Sequence, residues 1–187
     1  MKQINNWENV KAASGEIPTL PAGGYVCKVE ACSEKPNKSG AGTHLEIKFD
    51  IAEGEYAGFY LRDWQAQTGE DRFWRGVINQ NVPNEASDKY GQQCGFFKRF
   101  TETVEESNPG YHWDWNEAAL AGKMIGVVFG AVERESAKGT RYLTTRADKI
   151  ITVEDVKAGK FKVPAAKLLP TQPVYQEINT SDPDVPF

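Results

Sequence analysis

Residues 43–51, THLEIKFDI, alternate without a break between polar and apolar side chains. Leu45, Ile47, Phe49 and Ile51 fall on one face, with His44, Glu46, Lys48 and Asp50 on the other. A period of two marks a strand with one face in a core and the other in water. The chain is therefore a sheet former, and its other segments are read as partners of this strand.

GYVCKVEACSEK, just upstream, has strand character, and PNKSGAG (36–42) supplies the turn between the two. After the turn EGEYAG, the aromatic stretch FYLRDW (59–64) reads as a third strand, completing a meander. Residues 65–90 are polar and turn-rich, with one apolar cluster, FWRGVI, in the character of a helical turn. YGQQCGFFKRFTETVEESNPG reads as a helix: Phe97, Phe100 and Val104 form one stripe, and SNPG stops it. GKMIGVVFGAVERE is an almost wholly apolar fourth strand, SAKG a turn, TRYLTTRADKII a fifth strand and TVEDV a last helical turn.

Three strands, a helix and two strands is the order of an OB-fold, a five-stranded Greek-key barrel with a helix between strands three and four. Gly122, Gly126 and Gly130 suit bends where side chains would crowd a small barrel. An open α+β sheet and a sandwich compete with this mainly-β reading. The expected organisation is an extended N-terminal lead-in over 1–23, an OB-fold domain over 24–163 and a flexible, disordered acidic C-terminal tail over 164–187. The lead-in carries scattered anchors at Trp7, Val10, Ile17 and Leu20, and the tail is spaced by prolines without periodicity.

Charge separates body from tail. There are 22 Lys and Arg against 26 Asp and Glu, and Glu177, Asp182 and Asp184 all follow residue 170, where there is no Lys or Arg. The body is thus nearly neutral, which argues against strong duplex-DNA binding. No apolar run approaches the roughly 20 residues that span a bilayer, and MKQINNWENVKAASGE has no apolar leader core. No membrane association is expected, and the expected setting is cytoplasmic. Three cysteines without a framework point to reduced thiols. Cys27 and Cys32, an odd number of positions apart on one strand, are expected on opposite faces.

No enzyme is expected. There is no GxSxG, Walker or HExxH spacing, no CxxC, and nothing that asks for a cofactor or a metal. Glu133 and Asp148 could approach each other on paired strands, but two acids without a third ligand make a poor magnesium site.

The candidate surface lies instead on the presumed third strand, where Tyr60, Arg62 and Trp64 would share one face. An aromatic–basic–aromatic row stacks bases and neutralises the phosphate between them, and strands two and three form the usual oligonucleotide face of an OB-fold. Lys48 and His44 would extend that strip. The same aromatics would serve equally as cover for the barrel. A second candidate is the turn between strands four and five, with Arg134, Lys138, Arg141 and Tyr142, where a solvated hairpin tip is the plain alternative. Phe73, Trp74 and Arg75 read either as a further stacking cluster or as core packing, and Lys98 and Arg99 as a water-facing helix side.

The chain ends in DPDVPF, which is similar to the acidic, proline- and phenylalanine-terminated tip of bacterial and phage single-stranded DNA-binding proteins. Asp182 and Asp184 match acids of that tip, Val185 its aliphatic position, and Pro186 and Phe187 its final pair, while Pro183 stands where the tip has another acid. The segments LPAGGYVCKVE, LEIKFDIAEGEYAGFY, FFKRFTETVEESNPGY and LAGKMIGVVFG resemble phage and prophage replication-module proteins over roughly residues 18–165. The resemblance implies a protein of phage replication, recombination and repair that coats single-stranded DNA and recruits replication or recombination proteins through Phe187, by capture of its ring and free carboxylate. An adaptor that binds replication proteins but no DNA is the alternative. A homo-oligomer is compatible with either.

Overall fold

The computed structural model describes residues 19–67 and 72–170. The lead-in up to residue 18 and the tip residues Asp182, Asp184, Val185, Pro186 and Phe187 lie outside that range. Within it, five strands form one antiparallel sheet: β1 (Gly23–Pro36), β2 (Thr43–Ile51), β3 (Val77–Asn81), β4 (Met124–Glu135) and β5 (Arg141–Ile151). Three helices accompany them: α1 (Phe59–Ala66), α2 (Tyr90–Ser107) and α3 (Val153–Lys157). The spatial order is β3-β2-β1-β4-β5. The sheet curls so that its edges, β3 and β5, approach each other alongside α2, and no ladder joins them among the described residues. No helix among these residues is long and apolar enough to cross a membrane.

The alternation of β2 is realised. Leu45, Ile47, Phe49 and Ile51 are buried, and Phe49 packs edge-on against Phe129 of β4. The α2 stripe of Phe97, Phe100 and Val104 closes the same core, and the helix ends at Ser107, just before Asn108 and Pro109. The Asn108 side chain donates to the carbonyls of Val104 and Met124, both at 2.8 Å, and accepts from Met124 N–H at 2.8 Å. One amide group thus caps the helix and fixes it to the start of β4. At the same end of the core, the Thr152 hydroxyl accepts from Asp155 N–H and starts α3, and Val153 N–H donates to the Ser107 hydroxyl at 3.2 Å.

FYLRDW is a helix, not a third strand; VINQN takes that place as β3, beginning at Val77 inside FWRGVI, which is extended rather than the expected helical turn. The cause is Asp50, read above as a water-facing residue but only 7% exposed. Its carboxylate accepts from the backbone N–H groups of Ile51 (2.8 Å), Tyr60 (2.8 Å) and Leu61 (3.1 Å). The first amides of a helix have no partner within it, and here a strand side chain supplies one. This long-range contact outweighs the strand propensity of the aromatic stretch.

A bulge between Val29 and Ala31 of β1 corrects the cysteine reading. Cys27 pairs with Ile51 and Cys32 with Ile47, so both thiols lie on the inner side. Burial pushes both up, Cys32 to about 12. They remain separate free thiols.

The glycines of the fourth strand have different reasons. A Cβ at Gly126 would sit 2.6 Å from the Thr152 carbonyl oxygen, and one at Gly130 3.3 Å from Pro164. Gly122 precedes the strand and has φ +83, a left-handed turn. Gly126→Ala should destabilise the fold by about 1–3 kcal/mol through overpacking against backbone, read as a lowered urea midpoint. An unchanged midpoint would mean that α3 and β5 are free to move aside.

Residues 164–170, expected to open the tail, are instead held along β4. Lys167 exchanges backbone hydrogen bonds with Ala131 and Glu133 at 2.8–2.9 Å, in parallel with Val132. β1 leaves that half of β4 unpaired, pairing only with Met124–Phe129, so the segment satisfies an open edge.

A candidate nucleic-acid interface

A cleft of about 630 Å³ lies between the two sheet edges. One wall is Phe73, Trp74, Arg75 and the start of β3; the other is formed by β4, β5 and Pro164 to Lys167. Cross-strand pairing explains the second wall. Gly130 faces Arg146, Val132 faces Thr144, and Arg134 faces Tyr142, and directly opposed residues share a face.

The first wall is built on α1. The Gln67 side chain donates to Phe73 C=O and accepts from Phe73 N–H, both at 3.0 Å. Asp63 binds Arg75 at 2.5 Å, and the Arg75 guanidinium stands 4.9 Å from the centre of the Phe73 ring. Tyr60 packs beneath Gly76, where a Cβ would fall 2.6 Å from its ring. Trp74 Nε1 donates to the carbonyls of Phe49 (3.0 Å) and Gly76 (3.1 Å), anchoring the segment to β2. Phe73 is left 58% exposed, a fixed aromatic ring in water.

Charge around the cleft is one-sided. Arg75, Arg134, Arg146 and Lys167 line it, against Asp148 alone among acids. Lys167 neutralises Asp148 at 2.9 Å. Among the described residues, neither Arg134 nor Arg146 has a carboxylate within ion-pair distance. Such a surface can stack a flat base and hold phosphates beside it.

The structure divides the residues singled out from the sequence. Arg134 lines the cleft, and Tyr142 stands opposite it at the rim, about half exposed. Lys138 is exposed at the hairpin tip. Arg141 is drawn into a clamp, within 3.8–3.9 Å of Glu133 and Glu135 and bonded to Pro170 C=O. Tyr60, Arg62 and Trp64 do not form a row, because alternate residues of a helix point in different directions. Tyr60 is 8% exposed and edge-on to Phe49, with burial pushing its hydroxyl up. Arg62 bonds Ala57 C=O, and Trp64 carries Arg72 at 4.4 Å over its ring. His44 bonds Asn37, and Lys48 stands 3.9 Å from Glu46; both lie on the outer face of β2, away from the cleft lining.

Arg146 and Lys167 were missed. Arg146 has the parity of Tyr142 and Thr144, so the alternation of β5 could have given it; Lys167 lay in the presumed tail. Glu133 and Asp148 do not meet. Asp148 lies at the bulge beside Phe129, four residues along β4 from Glu133, about 13 Å at strand rise. Glu133 is also occupied by Leu169 N–H. Among the described residues no group of His, Cys, Asp and Glu is arranged to hold a metal. No protein-family model matches this chain, and no curated protein matches it.

Proposed function

We propose that this is a non-catalytic, single-stranded DNA-binding protein built on an OB-fold. The strand order, with α2 between β3 and β4, is that of such a barrel left open between its third and fifth strands. The observation that carries the reading is the cleft itself: Phe73 presents a ring to one base, and Arg75, Arg134 and Arg146 surround it with positive charge. Stacking and phosphate pairing are both indifferent to sequence, so the protein coats unpaired strands without strong preference. A duplex hides its base faces and finds a nearly neutral body outside the cleft.

Recruitment of replication or recombination proteins through Asp182, Asp184, Val185, Pro186 and Phe187 is the second half of the proposal, and the resemblance of the tip supports it. The near-neutral body favours the alternative adaptor that binds no DNA. Titration with oligo(dT), followed by tryptophan fluorescence, separates the two. Trp74 in the cleft wall should be quenched, saturably and less at high salt, with a duplex of equal length binding more weakly. No response to any unpaired oligonucleotide would leave the adaptor.

A further inference from the structure

We infer that a bound strand does not stop in the basic cleft but continues along the β3–β5 seam into a second pocket, where Phe96 stacks a further base and the track ends at Arg99. This rests on the single-stranded DNA reading above. The second pocket, about 380 Å³, is enclosed by β3, β5 and α2. Ile78, Asn79 and Asp148 line both pockets. Residue numbers advance together on the two walls, from Val77 to Asn81 and from Thr144 to Ile150. The pockets are therefore consecutive lengths of one trough between unpaired edges.

The chemistry repeats. Phe96 is 60% exposed although its neighbour Phe97 is buried in the core. Arg99, three residues on, lies on the same side of the helix and lines the same pocket. This aromatic–cation pair matches Phe73 with Arg75 at the other end. Lys149 adds a cation, and the carboxamides of Asn79 and Asn81 offer the donors and acceptors that base edges match. Beyond Arg99 the next depression is lined by Glu102, Glu106 and Asp155, which would repel a phosphate. From Arg75 to Asn81 is about 20 Å at strand rise, room for on the order of four nucleotides.

The test compares oligo(dT) of about two nucleotides, half the length of that track, and of about ten on wild type, Phe96→Ala and Phe96→Tyr. Phe96→Ala should bind the longer strand about 5- to 100-fold more weakly, the loss of one stacked base, while the short strand, which the basic cleft accommodates, is unaffected. Phe96→Tyr should restore binding of the longer strand. Equal affinity of Phe96→Ala and wild type for the longer strand, or equal losses on both lengths, overturns the extended track and leaves the basic cleft standing. Failure of the wild type to bind either oligonucleotide overturns the DNA reading and this inference with it.

Discussion

The double variant Arg134→Ala, Arg146→Ala should bind oligo(dT) about 100-fold more weakly than wild type at low salt. Charge-assisted hydrogen bonds contribute about 1.5–3 kcal/mol each, and two lost together come to roughly 3 kcal/mol after solvent replaces them. The salt dependence gives a sharper signature. Each phosphate contact to a single strand contributes about 0.7 to the slope of log K against log salt, so the variant should be shallower by about 1.4. Folding should be untouched, because both side chains are exposed and neither holds an ion pair among the described residues. A parallel titration of Lys48→Ala checks for a mere effect of net charge. It removes a cation from the outer face of β2, off the cleft lining, and should change affinity little. Equal losses in the two variants would place the DNA elsewhere.

Asp50→Ala should cost about 3 kcal/mol of folding stability. The carboxylate is buried and accepts from three backbone amides, two of them opening α1. Removing it strands those N–H groups, and a buried unsatisfied donor costs about 1–3 kcal/mol. Relaxation and water entry offset part of the sum. The effect should extend to binding. α1 carries Asp63 and is followed by Gln67, which hold Arg75 and Phe73 in place. A protein that survives the substitution should therefore show weaker oligonucleotide binding as well as a lower urea midpoint at an unchanged m-value. Asp50→Asn keeps one acceptor oxygen and should fall between. A midpoint within error of wild type would show that α1 does not depend on this cap.

What could be read from the sequence was local. The apolar face of β2, the stripe of α2 and the apolar run of β4 repeat with a period that packing obeys, and each lies where the pattern puts it. The reading failed where a distant group decides. FYLRDW has the composition of a strand, and the amides that open its helix are capped by Asp50, folded against it from β2. The bulge at Val29 to Ala31 reverses the parity of everything after it, so Cys32 turns inward with no mark in its neighbours. The cleft fared likewise. Phe73, Trp74 and Arg75 could be seen as a cluster, but their exposure depends on Gln67 and Tyr60 behind them. Lys167 gains its place from an unpaired half of β4 that no composition reveals.

The most direct measurement is ultraviolet cross-linking of oligo(dT) to the full chain, with the attached peptide mapped by mass spectrometry. A strand lying in the cleft should attach to the peptide containing Phe73 and Trp74 or to that containing Tyr142. Attachment confined to the β2 outer face around His44 and Lys48, with the cleft peptides unmodified, would contradict the account.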